Sequence, residues 1–296
     1  MTISFSNRVA IVTGAGGGLG RAYALALAAR GAKVVVNDLG GARDGTGGSS
    51  AMAQAVVDEI LAAGGEAMAN GASVTDFAQV TAMVEAAKAK WGRVDILINN
   101  AGILRDRTFA KMEMADFQMV LDVHLTGSAN CTKAVWETMR EQAYGRIVMT
   151  TSSTGLYGNF GQANYGAAKM GLVGLMNTLA IEGAKYNVRC NSIAPVAATR
   201  MTEDLMPPEM LARLAPDTVV PATLFMCSED APNKVIFNAG GGGFERTYVT
   251  ITRGIHLHGD DMTVEAIAAR WDEVGDRTGE IVPENGSAQG AMALSR

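Results

Sequence analysis

Short β-branched runs alternate with alanine-rich stretches of helical period along most of this chain, and nothing else constrains its fold as strongly. Strand candidates fall at 8–13, 33–37, 66–70, 94–99, 146–151, 188–193 and 235–238. Helical patterns lie between them at 19–29, 51–63, 77–91, 115–141, 165–185 and 217–228. Strand, crossover helix and strand in regular succession give a parallel sheet with helices on both faces. The expected fold is therefore α/β, a doubly wound parallel sheet of about seven strands. With 48% of its 296 residues apolar, the chain can bury one large core. The expected division is a main domain over 1–255 and a C-terminal extension over 256–296. In that extension 262–274 reads as one short helix capped by Thr263, and Pro283-Glu284-Asn285-Gly286-Ser287 favours a disordered or irregular end.

A formal net charge of −5 gives no electrostatic case for nucleic acid or an anionic membrane as partner. Cys131, Cys190 and Cys227 are odd in number and scattered, which reads as reduced thiols in a cytosolic-type compartment. The start lacks a signal-peptide h-region, and no run reaches ~18 apolar residues. A cytoplasmic protein is expected, although the ending Leu294-Ser295-Arg296 loosely resembles a peroxisomal address. His256 and His258 have no third ligand nearby, so no metal site is expected.

The first strand runs into Gly14-Ala15-Gly16-Gly17-Gly18-Leu19-Gly20 and then into a helix. That context turns a weak glycine pattern into a dinucleotide site. Gly14 permits the tight turn, Gly18 the approach of backbone to pyrophosphate, and Gly20 close packing of helix on strand. No Gly-Lys-Ser/Thr follows, which excludes a Walker-type loop. Asp38 ends the second strand, where a carboxylate accepts from ribose hydroxyls and repels a 2′-phosphate. This favours NAD over NADP, with Arg21 and Arg43 as the cations that could instead take that phosphate. Asn99-Asn100-Ala101-Gly102 closes the fourth strand at the sheet edge where ligands bind.

Tyr165 and Lys169 are one helical turn apart and share a face. A free phenol is a poor base near neutrality, with a pKa of ~10. A neighbouring ammonium and a cationic nicotinamide would favour the phenolate, by about 3–4 kcal/mol if it is to work near neutral pH. Ser152, at the end of the strand before them, could hold the substrate oxygen.

Together these motifs resemble the short-chain dehydrogenase/reductase family in order and spacing, from about Arg8 to Gly243. Stretches such as NDLGG, NNAGILRDR, YGNFGQANY and IAPVAATRMT further resemble the (3R)-hydroxyacyl-CoA dehydrogenase units of peroxisomal multifunctional enzymes of type two. The resemblance implies a secondary-alcohol oxidation, (3R)-3-hydroxyacyl-CoA to 3-oxoacyl-CoA, with an acyl-CoA thioester as partner molecule. Tyr165 would be the acid/base, Lys169 its partner and a ribose ligand, and Ser152 the donor to the substrate oxygen. It also implies cofactor contacts at Leu19, Ser73, Val74, Asn100, Ala101, Gly102 and Pro195. A homodimer or homotetramer would pair the 115–141 and 165–185 helices.

Two positions depart from the broad family. His124 stands where an asparagine usually supports a proton-relay water, as it does in the multifunctional enzymes, and it is a candidate for the same service. Val196 follows Pro195 where glycine is frequent, which narrows that turn. Leu156, Tyr157, Phe160, Met201, Leu205 and Met206 are candidates for an apolar substrate pocket, and 207–214 for a mobile lid. Two other readings stay open: a dehydrogenase or reductase for a hydroxysteroid, another lipophilic alcohol or a 3-oxoacyl group, and a non-catalytic dinucleotide sensor.

Overall fold

The computed structural model describes residues 2–49, 51–198 and 208–295. These form two compact units, Met1–Arg246 and Thr247–Arg296. The first unit holds the sheet. Its strands are β1 (Val9–Thr13), β2 (Lys33–Asn37), β3 (Glu66–Asn70), β4 (Ile96–Asn99), β5 (Gly145–Thr150), β6 (Val188–Pro195), β7 (Ile236–Gly240) and β8 (Gly243–Thr247). They lie in the order 3-2-1-4-5-6-7-8, and the pairings from β3 across to β7 are parallel. The expected doubly wound sheet is present with one strand more than the sequence indicated. β8 follows β7 through Gly241 and Gly242, both at positive φ. It escaped notice because its residues are mostly exposed and do not alternate.

Alternation within the strands explains the two helical layers. Ala10 and Val12 face one core with Val34, Val36, Ile96 and Ile98, covered by α1 (Gly18–Ala28), α2 (Ala51–Ala62) and, through Leu224 and Met226, a later helix. Val9 and Ile11 face the other with Leu97, Ile147 and Met149. That core is covered by α3 (Phe77–Trp91), by residues Cys131, Val135 and Met139, and by Leu172, Val173 and Met176. A period of two in a strand buried on both faces feeds two cores at once.

The single helix expected over 115–141 is two. α4 (Met114–Leu121) and α5 (Gly127–Glu141) are joined by a π-helical turn over Asp122–Thr126. Hydropathy repeats alike through both pieces, so the sequence does not reveal the wider turn, which re-aims His124. A five-residue helix, α6 (Ser153–Tyr157), precedes α7 (Ala163–Gly183). Next come α8 (Pro208–Arg213) and α9 (Val220–Cys227).

In the second unit the helix expected over 262–274 is divided into α10 (Val264–Ala269) and α11 (Trp271–Val274), with Arg270 between them. Thr263 caps α10, its Oγ1 accepting from the Ala266 amide at 3.1 Å. The chain end expected to be irregular carries α12 (Ser287–Leu294). No helix among the described residues is long and apolar enough to cross a membrane.

Candidate active site

The carboxyl ends of β1 and β4 meet where strand order reverses, which opens the crevice that binds ligands in sheets of this kind. A cleft of about 610 Å³ lies there. Its floor is the glycine turn between β1 and α1. Gly14 sits at φ +62, and a Cβ there would come 2.8 Å from the Ala101 Cα. A Cβ on Gly20 would come 2.2 Å from the Gly14 oxygen and 2.6 Å from Asn100 Nδ2. Asn100 ties the two strand ends, donating from Nδ2 to the Thr13 oxygen at 2.9 Å and to the Gly14 oxygen at 3.0 Å. Thr13 Oγ1 in turn accepts from the Asn100 and Ala101 amides. Thr13, which opens the glycine motif in the sequence, thus joins the ends of β1 and β4.

Gly14, Gly18, Leu19, Asp38, Ser73, Val74, Asn100, Ala101, Gly102 and Pro195 all line this cleft. Gly20 does not; it lies beneath, where it lets α1 approach the turn. Asp38 accepts from the Gly16 amide and the Gly40 amide, each at 2.7 Å. Each oxygen keeps a further lone pair, so the carboxylate is aimed by the backbone and can still accept from a ligand. Arg43 also lines the cleft, whereas Arg21 pairs with Glu59. A floor built largely of Gly14, Gly17 and Gly18 leaves room for a dinucleotide to lie against backbone.

Across the cleft from Asp38 stand Ser152, Tyr165, Lys169 and His124, all lining it. Ser152 follows β5 and caps α6, its Oγ accepting from the Thr154 amide at 3.2 Å. Its hydroxyl is near enough to the Tyr165 phenol to favour the ionised form. α7 carries Tyr165 and Lys169, and Thr151 Oγ1 pins that helix by donating to the Lys169 oxygen at 2.7 Å. α6 lies close on α7, since a Cβ on Gly155 would meet Lys169 Cβ at 2.7 Å. Asn164, fully buried, donates from Nδ2 to the Arg105 oxygen and accepts from the Tyr165 amide.

The chain's own groups, taken together, oppose ionisation of the phenol. Burial pushes the Tyr165 phenol up to about 12, against the influence of Ser152, and the charge of Asp106 pushes the same way. Burial brings Lys169 down to about 7. Its Nζ donates to the Thr150 oxygen at 2.5 Å and stands 5.3 Å from the centre of the tyrosine ring. The amine thus lies over the ring and is near the balance between its charged and neutral forms at neutral pH. The chain's own groups do not by themselves make the acidic phenol that the spacing implied.

His124 packs edge-on against Tyr165, with ring centres 5.1 Å apart and planes at 86°. Its Nε2 is 2.8 Å from the Ile103 oxygen and 3.1 Å from the Ile103 nitrogen, so Ile103 anchors it in either tautomer. Gly102 makes room, because a Cβ there would come 2.3 Å from His124 Cε1. Burial first, and then the charge of Lys169, hold His124 well below the usual histidine range. Its buried Nδ1 has no partner among the described residues.

The expected apolar substrate pocket is not formed by Leu156, Tyr157 and Phe160. Leu156 packs against the core, and the two aromatic rings are exposed and do not line the cleft. Met201, Leu205, Met206 and part of the expected lid lie outside the described residues. The sequence reading missed the polar residues that line this end, Asp106, Asn159 and Gln162.

Residues 8–209 match the family model described as short chain dehydrogenase. The chain belongs to the short-chain dehydrogenase family. It is 52% identical over 274 residues to a Mycobacterium tuberculosis protein named as a short-chain type dehydrogenase/reductase, covering 92% of this chain and 96% of that one. The full-length structure of peroxisomal multifunctional enzyme type 2 from Drosophila melanogaster superposes with a TM-score of 0.82 at 40% identity, over 99% of this chain. This short-chain dehydrogenase spans 49% of that longer polypeptide. A 7α-hydroxysteroid dehydrogenase complexed with NADH and 7-oxo glycochenodeoxycholic acid superposes with a TM-score of 0.72 at 30% identity, covering 81% of this chain and 95% of its own. The short-chain dehydrogenase described here is an oxidoreductase with a nicotinamide dinucleotide cofactor, acting on a small molecule.

Proposed function

We propose that this chain is an NAD-dependent dehydrogenase that converts a (3R)-3-hydroxyacyl-CoA to the 3-oxoacyl-CoA. The observation that carries the reading is the grouping of Ser152, Tyr165 and Lys169 on one wall of a cleft whose floor is the glycine turn. Ser152 donates to the substrate oxygen and fixes the carbinol against Tyr165. Tyr165 takes the hydroxyl proton as general base. Lys169 holds the cofactor ribose and keeps the phenolate from being stranded without a partner. His124, through Nδ1, holds a water for onward passage of the proton. When bound, the oxidised nicotinamide accepts the hydride, and its positive charge supplies the push toward phenolate that the protein alone lacks.

Asp38 supports NAD over NADP, since its backbone-held carboxylate would face a 2′-phosphate and Arg21 is engaged with Glu59. The acyl-CoA assignment is supported by likeness to the multifunctional enzyme over nearly the whole of this chain. The hydroxysteroid complex favours a second reading, oxidation or reduction of another lipophilic alcohol or ketone at the same site. A homodimer or homotetramer through α5 and α7 is supported by Met170 and Ile181, which α7 leaves exposed. The expected compartment is the cytoplasm or the peroxisomal matrix.

A turnover panel tests the function. It runs both enantiomers of 3-hydroxyacyl-CoA thioesters of several lengths, a hydroxysteroid and simple alcohols, each with NAD and NADP. Highest kcat/KM for a (3R)-thioester with NAD is expected. Preference for the steroid would establish the second reading, and NAD binding without any turnover would make the chain a sensor.

A further inference from the structure

The cleft wall beyond Tyr165 contains one side chain whose orientation is dictated by all its neighbours. Gln162 Oε1 accepts from Thr154 Oγ1 at 3.0 Å and from Asn159 Nδ2 at 3.0 Å. Its Nε2 donates to Asp106 Oδ2 at 2.7 Å. Turning the amide over would set its NH₂ against an NH₂ and its oxygen against a carboxylate, so only this arrangement satisfies every group. The backbone adds a second tie, the Arg107 amide donating to the Gly161 oxygen at 2.9 Å. An exposed loop carboxylate is thereby held in place on the wall that carries Ser152 and Tyr165.

The position of that charge bears on what can react. A site built for hydroxy acids presents an arginine or lysine to the substrate carboxylate. Of the two cations that line the cleft among the described residues, Lys169 is turned to the Thr150 oxygen and Arg43 lies on the loop that follows Asp38. On the wall with Ser152 and Tyr165 the exposed charged group is the Asp106 carboxylate. Two like charges in a partly dry cleft repel, whereas a carboxylate accepts readily from an amide N–H.

We propose that Asp106, locked by Gln162, is a specificity-determining residue that turns away substrates carrying a carboxylate beside the reacting carbon and admits neutral acyl thioesters. The inference rests on the alcohol oxidation assigned above and narrows its substrate class: free 3-hydroxy acids are excluded by charge, before their shape is read.

The test compares kcat/KM for the N-acetylcysteamine thioester of 3-hydroxybutyrate with that for free 3-hydroxybutyrate. Wild type is expected to prefer the thioester. Asp106→Asn keeps an acceptor for Gln162 and removes the charge, so the thioester-to-acid ratio should fall by about tenfold, the size of one screened charge contact, through a gain on the acid. Asp106 also raises the Tyr165 phenol, but that influence acts on both substrates alike and cancels in the ratio. Unmutated protein gives a second measurement. Raising ionic strength from ~20 to ~200 mM screens exposed charges, and should narrow the ratio in wild type but not in Asp106→Asn. A ratio unmoved by the substitution, or equal rates on acid and thioester in wild type, overturns the inference while leaving the dehydrogenase reading intact. Failure of wild type on both substrates overturns that reading and the inference with it.

Discussion

The two edges of the sheet bury polar groups in opposite ways. At the amino edge Asp95, with no exposed side-chain surface, accepts from Arg8 at 3.0 Å, from Arg93 and from the Val9 amide at 2.9 Å. Arg146, equally buried, donates to the carbonyls of Ser228, Gly145, Asn187 and Glu229. The Tyr144 ring lies between the guanidiniums of Arg8 and Arg146, 3.6 and 4.2 Å from its centre. At the carboxyl edge, by contrast, His124 Nδ1 and Thr150 Oγ1 are buried with no partner among the described residues, and Lys169 is brought down to about 7. One edge closes its valences and holds the fold; the other leaves valences open, and open valences are what a cofactor and a substrate can use.

The contrast can be broken from either side, and the largest effect should come from the closed edge. Asp95→Ala removes the buried acceptor shared by Arg8, Arg93 and the Val9 amide and should cost about 3 kcal/mol, read from denaturant midpoints, while turnover per folded molecule stays close to wild type. Tyr165→Phe should do the reverse: turnover falls at least about a hundredfold, equivalent to roughly 2.7 kcal/mol, with NAD affinity and melting temperature little changed. Asp38→Ala should raise the NADP-to-NAD ratio of kcat/KM by about tenfold, or ~1.4 kcal/mol, measured with one alcohol and both cofactors.

The smallest effect is on acid stability. His124 is held below its ordinary value, so between that lowered value and its unfolded value of ~6.5 the unfolded chain binds the extra proton. Stability should therefore be lost as pH falls below about 6.5, and His124→Asn should flatten that slope in a urea series. The phenol itself gives a direct check. An ultraviolet difference titration of wild type against Tyr165→Phe, without cofactor, should show Tyr165 still protonated at pH 10, since burial sets it near 12. A phenolate at pH 8 would mean that Lys169 alone suffices.

What the sequence revealed and what it hid divide along the same line. The strands of the parallel sheet, the glycine turn and the Tyr165–Lys169 pair were legible because each is written in consecutive residues. The π-helical turn at His124 was not, since apolar spacing runs through it unbroken. Asp106 and Gln162 are 56 residues apart, and no local pattern joins them. The dryness around Tyr165 was hidden for a related reason. Spacing brings an amine near a phenol, but how dry the phenol becomes depends on the remote segments that pack around it. Leu156 reads as a pocket residue from its place beside Ser152, but it packs against the core instead.

Tyr165 and Lys169 ride on one rod, α7, whose same face is anchored in the core one to three turns further on through Leu172, Val173 and Met176. Inserting one residue between them would swing the later group by about 100° and abolish their shared face, whatever the loops did to adapt. Diversification of substrate in a chain built this way must therefore come from the loops that meet the rod, such as those bearing Asp106 and Asn159, while the rod's own spacing stays invariant.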